Sequence, residues 1–426
     1  MGHYHQGADF PGAAGKFYRG RENTKRGIGA ALVCLLISGC DLLPGDSSPA
    51  PGGSKDQPAV LETSGSSKMQ INDPATLSLL TWNVQALFDG VEAGTEYDEY
   101  LEAAGWGDEK YAARLNSLSQ ALSQVSAKAP DILALQETEN SRMLERLAGG
   151  LLAKYGYQWT FFANNPGTAL GLGVLSRYPF TEAKVHSITW EEETTPRPIL
   201  ELRLHVQDKP LVLLICHWKS KLGGDDVTES LRRASARIIL RRIREIQEDS
   251  PDMPIIIMGD LNENHDEFYR QAGSVISALL PDDPKAAELT GFTPDAAHPD
   301  QAEPDRGIPE AEEKKQQKDF LVLSGEKPPV SEYFHPDTAV LYSPWGGELQ
   351  EGSYYYKNAW ETIDHFLLTG ALFDAKGWEF DSARVIKQEP FINSRGFPNS
   401  YNPNTGGGLS DHLPLMLVLK NAGDPE

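Results

Sequence analysis

The sequence predicts a layered α/β sandwich, with β-sheets packed face to face and helices outside. Three observations predict it. Short apolar runs alternate with a few stretches of helical spacing. Several of those runs are apolar along their whole length, as strands covered on both faces must be. Nearly every run ends in a carboxylate, carboxamide or imidazole that a core would not choose.

The elements can be taken in chain order. Leu77 to Val84 reads as a buried strand. Tyr111 to Ala127 has helical spacing, with Leu115, Leu118, Leu122 and Val125 on one face. Pro130 ends that helix, and Asp131 to Leu135 is the next strand. Leu172 to Leu175 follows, then Ile199 to His205 and Leu211 to His217 as a pair. Ser230 to Glu248 reads as a helix with arginines outside, and Ile255 to Met258 as a wholly apolar strand. Ile363 to Leu368 and Leu413 to Leu419 close the set. Residues 283–318 are rich in Pro, Asp, Glu and Ala and read as a solvated insertion.

The N-terminal part has a different character. Arg19, Arg21, Lys25 and Arg26 precede an apolar stretch from Ile28 to Ile37. That stretch is too short to span a bilayer, which takes roughly 20 apolar residues. A basic region, a short apolar region and small residues before a cut describe an export signal, here residues 1–39. Ile37-Ser38-Gly39-Cys40 resembles a bacterial lipobox, so Cys40 is expected to carry lipid. Residues 40–75 are rich in Pro, Gly, Ser and Asp, and read as a flexible tether. The expected folded domain is 76–421. It would be exported and anchored to the bacterial cell envelope through its lipid, as a monomer.

Charge and cysteine content narrow the function. With 39 Lys+Arg and 61 Asp+Glu, the 426-residue chain carries a net charge of −22. Removing residues 1–39, which hold five basic and two acidic side chains, takes this to −25. Such a surface argues against tight non-specific nucleic-acid binding, which depends on Lys and Arg at phosphates. Lys219, Lys221, Arg232 and Arg233 are a local basic exception. Beyond Cys34 and Cys40 only Cys216 remains, so the domain has no internal disulfide and its one thiol is expected to be buried.

The polar strand ends carry the chemistry. They are Asn83, Gln136-Glu137, His217, Asp260-Leu261-Asn262, Asp364 and Asp411-His412. Singly, Asp and Asn favour turns, a lone His is usually structural, and Glu137 could merely open a helix. As a set on neighbouring strands they would converge on one rim. Hard cations such as Mg²⁺ take oxygen ligands, and a His beside a carboxylate is a tuned proton carrier.

Seven segments resemble, in order, the motifs of the endonuclease/exonuclease/phosphatase (DNase I-like) superfamily. They are Thr81-Trp82-Asn83-Val84, Leu135-Gln136-Glu137, Gly173 to Pro179, His217-Trp218-Lys219-Ser220-Lys221, Met258 to Asn262, Thr362-Ile363-Asp364-His365 and Ser410 to Pro414. The stretch from His217 to Gly224 with Arg232, and Gly352 to Lys357 leading to Trp360 and Asp364, are similar to a bacterial secreted lipoprotein branch. The resemblance implies a four-layered α/β sandwich, two packed mixed β-sheets flanked by helices. It implies a phosphoric ester hydrolase using Mg²⁺, with Mn²⁺ or Ca²⁺ as substitutes. Glu137 would be the principal metal ligand, with Asn83 and Asp411 beside it. Asp260 and Asn262 would orient the attacking water and contact the phosphate. His412, held by Asp364, would be general base or phosphate contact, and His217 would contact the phosphate or assist the leaving group. One position departs from the pattern. The DNase I branch supports the residue matching His217 with an upstream glutamate, and no carboxylate lies between Tyr157 and Ser176. The implied substrate is a phosphate ester: nucleic acid, or else a phospholipid such as sphingomyelin, or a small phosphodiester. A surface binding lipoprotein that kept the fold and lost catalysis is the alternative of another class.

Overall fold

Both faces of most strands are covered, and this sets the architecture. In β1 (Thr76–Leu87), Leu77 and Leu79 belong to one apolar cluster while Leu80 and Trp82 belong to another. In β9 (Lys209–His217), Leu213 and Ile215 join the first cluster, and Leu214 and Cys216 join a third. Side chains alternate across a strand, so each strand feeds two cores and needs no polar face.

The computed structural model describes residues 75–126, 128–190, 193–195, 197–290, 318–326 and 339–423. The expected signal, Cys40 and almost all of the tether lie outside these residues. Among the described residues no helix is long and apolar enough to cross a membrane.

The first sheet contains β1, β2 (Ile132–Thr138), β3 (Trp159–Ala163), β4 (Gly171–Ser176), β17 (Trp378–Val385) and β18 (Leu415–Asn421). Its order is β17-β18-β1-β2-β4-β3, with β1 and β2 parallel and the other pairs antiparallel. The second sheet contains β5 (Phe180–His186), β8 (Ile199–Val206), β9, β10 (Ile255–Asp260), β11 (Leu279–Pro281), β12 (Leu321–Ser324), β13 (Val340–Tyr342) and β16 (Asp364–Leu368). Its order is β11-β12-β13-β16-β10-β9-β8-β5. Two small hairpins stand apart: β6 (Thr189–Trp190) with β7 (Glu193–Thr194), and β14 (Tyr354–Tyr356) with β15 (Ala359–Glu361).

The central core joins the inner faces of the two sheets, from Leu77, Ile132 and Leu415 on one to Ile215, Met258 and Phe366 on the other. Outside the first sheet, α1 (Asp108–Leu122) and α2 (Ser141–Arg146) bury Leu115, Leu118, Met143 and Leu144. Outside the second, α3 (Asp225–Asp249) buries Ile239, Leu240, Ile243 and Ile246. The layers run helix, sheet, sheet, helix: the four-layered sandwich the sequence leads one to expect. Cys216 is a buried free thiol, and burial pushes its proton affinity up.

Residues 283–318 need a correction at their start. Ordered chain continues through α4 (Glu267–Arg270) and β11 into α5 (Pro284–Leu289). Asp283 caps α5 by accepting from Ala286 N–H, and Ala286 and Ala287 pack with Phe268, Leu280 and Phe320. A short helix showing only two alanines to the core is invisible to an apolar-periodicity rule. Residues 291–317 lie outside the described residues.

Glu201 on β8 pins α3 to the second sheet. Its side chain is 1% exposed and contacts His186 of β5 at 2.8 Å and Arg242 of α3 at 2.8 Å. Burial alone would raise its proton affinity, but His186 and Arg242 together hold the carboxyl far below the usual range. The folded-state value is depressed, so the stabilisation is present above the unfolded value, about pH 4.3, and lost as pH falls through the folded value. Glu201→Gln is expected to cost about 3–5 kcal/mol at pH 7, as buried pairs do when one partner is removed. Urea titrations of both proteins check this, and the gap between them should narrow below about pH 4.

Candidate active site

Two strand ends on the first sheet are bent to make half of the site. The β1–β2 pairing shifts register between Asn83 and Leu87, and the β2–β4 pairing between Gln136 and Thr138. Within these bulges Gln85, Ala86 and Glu137 have φ of 55°, 50° and 64°. Positive φ is costly for such residues, and bulges re-aim side chains at functional rims. Here the bend lets Ala86 N–H donate to Glu137 Oε2 at 2.7 Å. Asn83 Nδ2 donates to Glu137 Oε1 at 3.1 Å and to Asp260 Oδ2 at 3.0 Å, joining the two sheets. Asn83 Oδ1 accepts from Gln85 N–H, so the amide holds the carboxylates through its N–H groups.

The bent backbone is held by a cation. Arg114 of α1, 1% exposed, donates to the carbonyls of Val84 and Ala86 at 2.7 and 2.8 Å, and also to that of Gln85. Its guanidinium lies 3.8 Å from the centre of the Tyr401 ring. The Gln85 side chain accepts from Tyr401 N–H and Asp411 N–H, and Ser410 Oγ donates to Asn83 O at 2.6 Å. The loop bearing Asp411 and His412 is thereby fastened to β1.

The second sheet supplies the other half as one rung. Asp260 is in register with His217 on its parallel neighbour and with Asp364 on its antiparallel neighbour. His217 Nε2 lies 3.5 Å from Asp260 Oδ2 and 3.6 Å from Glu137 Oε1. These two carboxylates face the imidazole that lacks the upstream glutamate. His412 Nδ1 is hydrogen-bonded to Asp364 Oδ2 at 2.8 Å, and that oxygen also accepts from Ser353 Oγ at 2.6 Å. His412 Nε2 points toward Asp260 Oδ2, 3.9 Å away. Asn262, with φ of 51°, donates its N–H to Asp260 Oδ1 and its amide to Trp218 O.

These groups floor a cleft of about 870 Å³. Asn83, Glu137, His217, Asp260, Asn262, Asp411 and His412 open onto it, while Asp364 stands behind His412. The walls include Arg197, Lys221, Arg270, Tyr354, Tyr356 and Lys357. The local basic stretch read from the sequence is largely neutralised. Lys221 is paired with Glu267 at 2.5 Å, buried Arg232 with Glu229 and Glu263, and Arg233 with Asp319. Arg197, Arg114, Ser353 and the tyrosines are contributions that strand ends could not reveal, since none ends an apolar run. Arg197 donates to Trp218 O and sits near His217.

The environment pushes the two imidazoles apart. Burial lowers His217 well below the usual imidazole range, and Arg197, His412 and Lys219 lower it further. Burial opposes the charge on His412 as well, but Asp364, Asp260 and Asp411 outweigh it and hold this ring well above that range. Burial pushes Asp260 up to about 7, with Asp364 adding to the rise and His412 and Asn83 opposing it. These surroundings favour the charged form of His412 and the neutral form of His217.

The donors suit a hard divalent cation. Carboxylates of Glu137, Asp260 and Asp411 line the floor, and Asp364 Oδ1, behind His412, is buried with no hydrogen-bond partner among the described residues. Asp260, Asp364 and His412 offer ligand atoms within 4.8 Å of one another. That trio is already closed by the His412–Asp364 bond, which fits proton handling better than ligation. Glu137 is more open than Asp260 or Asp364, and an oxygen-rich set of this kind fits a hard divalent cation.

A layered sandwich with a carboxylate and imidazole floor at the strand ends defines a phosphoesterase-type site. Residues 78–291 match the family model described as Endonuclease/Exonuclease/phosphatase family, half of the chain, and the chain belongs to that family. No curated protein matches the sequence. Among solved structures, humanized D. rerio TDP2 is similar at 16% identity and a TM-score of 0.46, covering 82% of this chain and 100% of that one. The human Nocturnin catalytic domain is 16% identical with a TM-score of 0.40, covering 81% and 94%. A family protein from Bacteroides thetaiotaomicron is 12% identical with a TM-score of 0.43, covering 82% and 98%.

Asp364 keeps His412 charged, which gives a pH signature. In Asp364→Asn, His412 loses the largest of the influences that raise it and gives up its proton at lower pH. The alkaline limb of the kcat/KM–pH profile is expected to move to lower pH, with a rate loss of about 10²-fold or more. A profile that keeps its alkaline limb in place would sink this assignment.

Proposed function

We propose that the protein is an exported, lipid-anchored phosphodiesterase that cleaves nucleic acid by in-line attack of water, with Mg²⁺ bound at Glu137 beside Asn83 and Asp411. The observation that carries this reading is the rung of His217, Asp260 and Asp364, closed by His412, at the floor of one cleft. A surface protein that only binds has no need of such a set.

The residues divide the work by their proton affinities. Asp260, pushed up to about 7, is matched to taking a proton from water near neutral pH. Asn262 fixes Asp260 through its N–H, leaving Oδ2 toward the cleft. His412, charged, contacts a phosphoryl oxygen and stabilises the negative charge gathered there. His217, neutral, sits next to Glu137 and Asp260 and accepts or donates a hydrogen bond at the leaving-group side. A bound divalent cation supplies further neutralisation of the phosphoryl oxygens.

Nucleic acid is favoured over lipid by the hairpin of β14 and β15. A membrane-inserting hairpin would point its aromatic side chains outward. Here Tyr355 is held against Phe397, with ring centres 4.0 Å apart, and Tyr354 and the exposed Tyr356 line the cleft. The lipid anchor itself rests on the basic and apolar run before Cys40.

Full-length protein should cleave plasmid DNA or RNA with Mg²⁺ and lose this with EDTA. Glu137→Gln and His412→Ala should each lower kcat by about 10²–10⁴-fold while melting as the parent does. Cleavage confined to sphingomyelin or bis-p-nitrophenyl phosphate would move the protein to lipid or small-diester chemistry; turnover of nothing would favour the binding protein.

Anchoring is tested separately. Cys40→Ser should release the protein from the membrane fraction of expressing cells and abolish its labelling by palmitate, and persistent labelling would refute the lipobox.

A further inference from the structure

The hairpin of β14 and β15 carries two different faces. Its two-residue tip, Lys357 and Asn358, has φ of 46° and 65°, the pattern of a tight turn matched to strand twist. Side chains alternate along β14. Tyr355 goes to one side, where it stacks on Phe397 and meets Trp360 edge-on at 5.3 Å. Those contacts fix the hairpin. Tyr354 and Tyr356 go to the other side, toward the cleft.

On that side the rings form a short ladder beginning at the catalytic floor. The Tyr354 ring lies 4.6 Å from the His412 ring, and the Tyr356 ring lies 6.1 Å from Tyr354 at an interplanar angle of 24°. Tyr356 is 48% exposed, so packing in the fold does not account for it. Lys357 Nζ sits 5.0 Å from the centre of the Tyr356 ring.

Resting on the reading of the site as a nuclease, we propose that Tyr356 is a stacking platform for the nucleobase next to the scissile phosphate, with Lys357 engaging the adjoining backbone phosphate. The single strand would enter past the hairpin tip, its phosphate reaching His412 while its base lies on the exposed ring. Stacking is tolerant of base identity because every base has a π-face. A quaternary ammonium headgroup would also seek an aromatic ring. Lys357 already places a positive charge over this one, and Arg197 and Arg270 line the same cleft. A neutral flat ring joined to an anion fits where a cation would be repelled.

The test is a cycle of two changes, one in the protein and one in the substrate. Full-length protein and its Tyr356→Ala and Tyr356→Phe variants are assayed on a short single-stranded oligonucleotide. Each is also assayed on the same strand with abasic residues flanking the cleaved linkage. In the parent, loss of the bases should lower kcat/KM about tenfold or more, the worth of one stacked base. In Tyr356→Ala the two substrates should become equal within about twofold, since coupled changes are not additive. Tyr356→Phe should keep the parent's preference. An abasic penalty as large in Tyr356→Ala as in the parent overturns the platform while leaving the nuclease reading intact. Turnover of no oligonucleotide by the parent overturns that reading, and the platform with it.

Discussion

Asp260 stands in register between His217 and Asp364, and the geometry of the cleft follows from that single rung. A slip of β10 by one residue would turn Asp260 to the opposite face. The apolar pattern does little to prevent this, because Ile255 and Ile257 feed the outer core while Ile256 and Met258 feed the inner one. Any register of four apolar residues would bury comparable surface. Gly259 makes the distinction. A Cβ there would lie 2.0 Å from the carbonyl oxygen of Cys216, so neither Met258 nor Asp260 can occupy its place. Its φ of 136° is a second reason for glycine. The rung at the cleft floor is therefore set by a close backbone approach just inside it.

The first sheet solves a different problem. Glu137 must leave the plane of β2, and Asn83 must reach both Glu137 and Asp260. Strands give such freedom only where their ladders are broken, and the broken ladders leave carbonyls without strand partners. Arg114 answers three of these in succession with one planar group. No carboxylate is within ion-pair distance of it among the described residues, so its charge is spread over carbonyl dipoles and the Tyr401 ring. The site thus rests on a rigid register in one sheet and on a supported distortion in the other.

The difference explains what could be read from the sequence. The long strands with apolar runs, such as Ile255 to Met258 and Leu211 to His217, were legible because both faces are covered. Their polar ends were legible as candidates because nothing in a core demands them. β5 was not legible: Phe180 to His186 is half-buried along most of its length and shows no apolar run. β17 lies at the edge of the first sheet with Glu379 and Asp381 among its apolar residues. Arg114 acts through hydrogen bonds to carbonyls 28 to 30 residues away, and periodicity carries no trace of these. Arg232 misleads in the opposite direction. It reads as part of a basic patch, yet it is buried against Glu263 at 2.6 Å.

The two imidazoles of the floor bring these threads together. They lie in the same few ångströms, both are buried, and burial alone would leave both neutral. Only His412 has a carboxylate bonded to its far nitrogen, and Asp364 can bond there because it is the neighbour of Asp260 in the rung. His217 has Arg197 and the charged His412 nearby, and both oppose a second positive ring. A net charge of −22 over the chain has little say in this, since these groups act at a few ångströms and the surface charges are screened beyond about 8–10 Å. One buried carboxylate with a raised proton affinity then sits between a charged ring and a neutral one. Environments that drive neighbouring titrations apart in this way assign acid and base roles. The roles we propose for these groups follow from strand register.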